Sequence, residues 1–141
     1  MEKTILYIQK GNRSTIIHYI NNEVEEKEIL LEKYLNNICL EFLTTLSGRI
    51  EAIKEKYNIV KNVPIYIKDN LVLFPTFSKN HISNIYLNSI YIKKILPYED
   101  KTIIVFYDNQ ELIIDKHYHT IKLSYEKCLK LINKININNE R

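Results

Sequence analysis

Apolar and polar positions alternate over the first twenty residues and then change period. Thr4-Ile5-Leu6-Tyr7-Ile8 is rich in β-branched and aromatic residues and predicts a strand. Gly11-Asn12 supplies a turn, and residues 15–20 return as a second strand, so the opening reads as a hairpin that Asn21-Asn22 ends. Leu31, Leu35, Ile38, Phe42 and Leu46 then recur at alternating steps of four and three, which places them on one face of a helix. Glu23, Glu25, Glu26 and Glu28 come just before, where carboxylates suit the positive end of a helix dipole. Gly48 is expected to mark a break or bend. Ile50, Ile53 and Tyr57 carry the helical spacing on to about residue 57.

Past a polar link at 58–62 the pattern is extended. Residues 64–68 and 71–74 flank Asp69-Asn70, a tight-turn pair, and Pro75 cannot donate to a ladder, so it ends its strand or sits at an edge. Residues 82–87 and 89–95 are further strand candidates. Residues 102–107 and 111–114 flank Asp108-Asn109, a weaker form of the Asp-Gly hairpin signal. A last helix is expected over 120–135, with Leu123, Leu131 and either Lys127 or Cys128 near one face, and residues 136–141 are expected to fray. The class is α+β: an antiparallel β-sheet made of the N-terminal hairpin plus C-terminal strands, one long inserted helix and a C-terminal helix. The whole chain, 1–141, is read as a single domain.

Composition narrows the classes of function more than it names one. With 45% hydrophobic and 26% charged residues the chain has the balance of a soluble globular protein. No apolar run approaches the ~20 residues of a membrane helix. The first apolar stretch is interrupted by Gln9-Lys10 and lacks a signal-peptide layout, so the protein is expected in the cytoplasm with no membrane partner. Cys39 and Cys128 both fall on apolar helical stripes and are read as reduced core residues. Two glycines leave no room for a phosphate-cradling loop. Ser78 with His81, and Ser124 with His119, lie close in sequence but in no nucleophile elbow. His117-x-His119 with Asp115 lacks the second close pair of a structural zinc site. No enzyme, no cofactor and no metal is expected.

Charge is distributed unevenly. Residues 1–48 carry a balance of −2, residues 49–94 carry +5, and residues 95–141 are neutral. The middle third therefore holds all of the positive excess, on Arg49, Lys54, Lys56, Lys61, Lys68, Lys79, Lys93 and Lys94. Such cations can neutralise phosphates without reading sequence, or can form a solvated face. Arg49 is one of three arginines. Its planar fork could enter a narrow groove or clamp a phosphate, or could pair with a helix-end carboxylate such as Glu41. Phe74, Phe77, Tyr86 and Tyr91 could stack on bases or fill a core. Thr76, Ser78, Asn80 and Asn84 form a polar loop that serves either turn chemistry or hydrogen bonds to sugar and base edges.

Gly48-Arg49, Pro64-Ile65, Leu73-Phe74-Pro75-Thr76, Ser78 and Asn84-Ile85, with Ile90 and Phe106 as strand anchors, occur in an order and spacing that resembles the ComK family of competence transcription factors. The similarity covers about residues 45–132 and, more loosely, the N-terminal hairpin. It implies a sequence-specific DNA-binding transcriptional regulator that activates competence (DNA-uptake) genes, with double-stranded AT-rich promoter DNA as partner and a homo-oligomer, dimer or tetramer, as the working form. It further implies minor-groove binding at A·T tracts, where a narrow groove attracts cations. The DNA-binding set expected here is Arg49, Lys54, Lys56, Lys79, Asn84, Lys93 and Lys94.

The chain departs from the family at Tyr86, where a tryptophan is usual. It departs again in the last helix, where Leu123 and Glu126 stand in the region of a Gln and an Arg. The sequence stops at Arg141 without the tail that adaptors recognise in longer members, so adaptor-mediated proteolysis is not predicted. The strand pattern Asn88-Ser89-Ile90 to Ile95, then Phe106, Asp108-Asn109 and Leu112, is also similar to LytTR-like DNA-binding domains. A protein-interaction module that has lost DNA binding is the other alternative.

Overall fold

A computed structural model describes residues 3–78 and 81–139. The opening hairpin is β1 (Ile5–Lys10) and β2 (Thr15–Tyr19), and the later strands are β4 (Ile65–Lys68), β5 (Leu71–Pro75), β6 (Ile85–Asn88), β7 (Ile92–Tyr98), β8 (Lys101–Phe106) and β9 (Glu111–Ile114). All strand pairs are antiparallel. The α+β expectation holds, with two refinements. The strands divide into a six-stranded sheet, ordered β3-β2-β1-β6-β5-β4, and a separate three-stranded sheet, β7-β8-β9. Between β1 and β5 the central sheet is closed by β6, which comes late in the chain.

The acidic run does not lead into a helix. Residues Val24–Lys27 form β3, an edge strand whose four side chains are all exposed, paired with β2. An edge strand needs no buried face, and charged side chains guard it against further pairing. The long helix is also two helices, α1 (Leu31–Leu40) and α2 (Leu46–Tyr57). Leu43 takes a left-handed backbone, φ 62°, and Thr45 caps α2 by accepting a bond from the Gly48 N–H at 2.9 Å. Asn36 Oδ1 accepts from the Leu46 N–H at 2.8 Å, tying the second helix to the first. Gly48 thus sits inside the first turn of α2 rather than at the break. A Cβ there would meet Thr45 Oγ1 at 2.9 Å, so glycine leaves space for the cap.

The central sheet is covered on both faces. Ile8, Ile17, Leu71 and Leu73 pack with Leu31, Leu35 and Leu46 of the helical layer. Tyr7, Val72, Phe74 and Leu87 face Ile92, Ile104 and Phe106 of the second sheet, and Ile121 and Cys128 of the last helix. This is why every residue of β5 is buried. Pro75 ends that strand, as expected. The last helix, α3, spans Tyr118–Asn139. Ile121, Cys128 and Leu131 are its buried positions, whereas Leu123 faces solvent. Both cysteines are buried and unpaired. No described helix is long and apolar enough to cross a membrane.

Candidate nucleic-acid interface

The Leu-Phe-Pro-Thr-x-Ser stretch runs from the end of β5 into the loop before β6, where Thr76 and Asn84 bond across to the loop backbone. Thr76 Oγ1 donates to the Ile85 carbonyl at 3.0 Å, while the Thr76 N–H reaches the same carbonyl at 2.9 Å. Asn84 Oδ1 accepts from the Phe77 N–H at 3.2 Å, and Asn84 Nδ2 donates to the Ser78 carbonyl at 3.3 Å. The Asn84 carbonyl in turn accepts from the Lys10 N–H of β1 at 3.1 Å. Asn84 is 0% exposed. Its amide is spent on the backbone, so it acts toward any ligand only by holding the loop in shape. Turn chemistry likewise accounts for Thr76, which is buried. Lys79 and Asn80 lie outside the described residues.

On the loop, Phe77 and His81 stack with ring centroids 4.4 Å apart. Lys116 Nζ lies 4.7 Å from the Phe77 ring centre, a cation–π distance. Lys10, Phe77, His81, Ile82 and Asp115 line an open cleft of about 390 Å³. Two lysines far apart in sequence, Lys10 and Lys116, thus converge on one aromatic pair. Sequence reasoning did not single out either of them. No local signal could have done so, because β1 and the segment after β9 meet only in the folded sheets.

Register locates the other cations. Ile65 pairs with Leu73, so the start of β4 lies near the end of β5 from which the loop departs. The last turn of α2, with Lys54 and Lys56, leads through residues 58–64 into that start. Lys54 makes a loose contact with Glu51 at 3.8 Å, and Lys56 is exposed. Lys127 Nζ of α3 reaches the Lys61 carbonyl at 3.5 Å, bringing a further lysine to this edge.

Lys93 and Lys94 fall elsewhere. They open β7, beside Asn109, whose Oδ1 accepts from Lys93 Nζ at 3.3 Å. The preceding strand β6 runs away from the loop, since Pro75 pairs with Tyr86 and Leu73 with Asn88. The structure therefore sets Lys54 and Lys56 on the helix that packs beside the β4 edge and places Lys93 and Lys94 at the end of the central sheet away from the loop.

Arg49 turns inward. Its Nη1 donates to the Tyr66 carbonyl of β4, its guanidinium carbon lies 6.0 Å from the Phe42 ring centre, and its Nε is buried without a hydrogen-bond partner. Because β4 is an edge strand, this contact occupies a backbone acceptor on the sheet margin. Among the aromatic candidates, Phe74 is fully buried and Phe77, Tyr86 and Tyr91 are half-buried, with Phe77 lining the open cleft.

The molecule is electrically lopsided across the central sheet. Residues 23–32 carry five glutamates and one lysine, centred on β3. The β4 edge, five strand spacings or roughly 24 Å away, carries Lys54, Lys56, Lys61 and Lys68 nearby. His117 and His119 stack on each other with centroids 5.3 Å apart, and the described residues contain no group of three or more metal-ligating side chains.

Comparison with known proteins gives one match, to the family described as ComK protein, over residues 4–139. No curated protein and no solved structure matches. The match runs from the first strand to the end of α3 and takes in the β5–β6 loop and both sheets, so the chain belongs to the ComK family of competence transcription factors.

Proposed function

We propose that this protein is a cytoplasmic, sequence-specific activator that binds AT-rich promoter DNA of competence genes. The observation that carries the reading is the loop end of the central sheet. There a loop whose described residues are tied by internal hydrogen bonds presents the Phe77–His81 pair, Lys10 and Lys116 flank it, and Lys54 and Lys56 lie on α2 beside the β4 edge. A loop with cations on either side suits a narrow, strongly negative minor groove. The glutamates of β3 favour the same approach, since they repel phosphates from the far edge. Arg49, already engaged with Tyr66, contributes by fixing α2 against β4. Lys93 and Lys94, at the opposite end, lie outside this contact.

Fluorescence anisotropy with labelled duplexes tests this. Wild-type protein is expected to prefer A·T-rich over G·C-rich DNA, with affinity falling steeply in salt. Each phosphate contact contributes about 0.9 to the slope of log K against log salt, so a double Lys54→Ala, Lys56→Ala variant should lose roughly 1 to 2 from it. Arg49→Ala should lower the melting temperature as well as binding. Equal affinity for both duplexes would remove the minor-groove reading. No binding at low salt would favour the interaction-module alternative.

A further inference from the structure

The turn that leads into β6 carries an isoleucine at its tip. The Asn84 N–H donates to the His81 carbonyl at 3.2 Å, so Ile82 and Ser83 are the two central residues of a β-turn. The Ser83 N–H donates to His81 Nδ1 at 3.0 Å, and the His81 ring stacks on Phe77. The turn is fastened to β1 as well, because the Asn84 carbonyl accepts from the Lys10 N–H at 3.1 Å. Turn centres favour Gly, Pro, Asn, Asp and Ser, yet this one holds a large aliphatic group that is 81% exposed. Exposure alone does not single it out, since Leu43 is 96% exposed. Its surroundings do. Ile82 lines the same cleft as Lys10 and Phe77, and Lys116 lies over the Phe77 ring. An aliphatic tip and two ammonium groups thus meet at one place. Asp115 is on the wall of that cleft, where its carboxylate disfavours a phosphate and leaves uncharged base surface as what the tip can meet.

We propose that Ile82 is a specificity-determining wedge, which enters the base stack from the minor groove at a TpA step inside the A·T-rich site. This rests on the DNA reading above and adds to it the residue that tells one A·T-rich sequence from another. Cations cannot do so, because they answer to phosphates and to groove width. Hydrogen bonding in the minor groove cannot do so either, because A·T and T·A pairs present the same acceptors there. What differs between such sequences is the ease of opening a step, and TpA steps unstack most readily. An aliphatic group has nothing to bond on the acceptor-lined groove floor and gains apolar contact only between base faces. Branching at Cβ restricts the χ1 of Ile82, and the turn bonds fix its backbone, so little freedom is lost on insertion. Lys10 and Lys116 then lie close enough to engage the groove on either side of the opened step.

Duplexes with 2-aminopurine in place of the adenine of a central TpA step test this, because the probe brightens when it is unstacked. Wild-type protein should raise its emission by about twofold or more. It should bind the TpA duplex about fivefold more tightly than a duplex of equal A·T content that lacks the step. Ile82→Ala should abolish the brightening and bring both duplexes to the weaker affinity, while its slope of log K against log salt stays within about 0.5 of wild type, since no phosphate contact is lost. Ile82→Phe keeps a wedge and should restore the brightening. Lys116→Ala should do the reverse of Ile82→Ala, taking about 0.9 from the slope and leaving the probe bright at saturation. Leu43→Ala, an equally exposed aliphatic position away from the cleft, should match wild type in every readout. Thermal melts of the exposed-site variants should coincide with wild type, so that a loss is not one of folding. A protein that prefers A·T-rich over G·C-rich DNA but leaves the probe dim would overturn the wedge and leave the DNA reading standing. So would Ile82→Ala that loses salt slope along with affinity, or that binds the TpA duplex as wild type does. No binding to any duplex at low salt would overturn both.

Discussion

At the scale of single residues, buried polar groups decide more than exposed ones. His18 stacks on Tyr7 with centroids 4.0 Å apart and shares a 3.0 Å hydrogen bond with Gln9 Oε1. Burial lowers its pKa below the ordinary 6.5, because a charged ring would lose hydration there. The unfolded chain therefore binds the proton more readily than the native one, and stability falls as pH drops below about 6.5. Thermal melts between pH 7.5 and 5.5 should show a declining midpoint, and His18→Gln should flatten that decline. An unchanged slope in the variant would assign the pH effect elsewhere. The residue scale also explains what glycine does not do here. Neither glycine has a positive φ, and five asparagines, Asn21, Asn22, Asn58, Asn62 and Asn109, take left-handed backbone instead. Asparagine tolerates that region better than other side-chain-bearing residues. A search for turns by glycine alone would have missed most of them.

At the scale of elements, the β5–β6 loop gives the sharpest prediction. Asn84→Ala leaves the Phe77 N–H and the Ser78 carbonyl without partners. Losing those bonds is expected to cost about 1 to 3 kcal/mol and several degrees of melting temperature. DNA affinity should fall with it, as the Phe77–His81 pair loses its support, and amide exchange at residues 77 and 78 should report the loosening directly. Much of the element pattern was legible beforehand. The hairpins announced themselves through β-branched runs around Asn and Asp turns, and Pro75 marked its strand end. Other features were hidden for identifiable reasons. The stripe from Leu31 to Leu46 keeps helical spacing straight across the break, because Leu46 is buried from the start of α2 rather than from the end of α1. The strand β3 has no buried face, so period gave no signal. In α3 the stripe was right at Leu131 and at Cys128, one of its two alternatives, but the apolar yet exposed Leu123 stood in it in place of the buried Ile121.

At the scale of the whole molecule, one polar knot joins the two sheets. An Asp108 carboxylate oxygen accepts from the Asn21 N–H at 2.9 Å, and Gln110 Nε2 donates to the Tyr19 carbonyl at 3.0 Å, both across from the β8–β9 turn to the end of β2. Burial alone would raise the Asp108 pKa, but the hydrogen bonds from Gln110 and Asn21 outweigh it and hold the carboxyl below its ordinary 3.8. The knot is thus complete at neutral pH and is lost as acid protonates it. Asp108→Ala should lower the melting midpoint by a few degrees and should leave acid sensitivity in the pH 3 to 4 range weaker than in wild type, as measured by circular dichroism. The candidate interface was only partly legible at this scale. Lys54 and Lys56 were visible as a basic helix end, whereas Lys10 and Lys116 come together through sheet order, which no local window contains.

That same order has a consequence for how the protein is made. The first strand has its second neighbour in β6, where Ile8 lies opposite Tyr86. A nascent chain leaving the ribosome therefore carries an unsatisfied apolar edge until most of the protein has been synthesised. Pairings between such distant segments are slow, because the intervening loop must close before any contact rewards it. Synthesis of β6, rather than emergence of the amino terminus, is then the earliest point at which the central sheet can close.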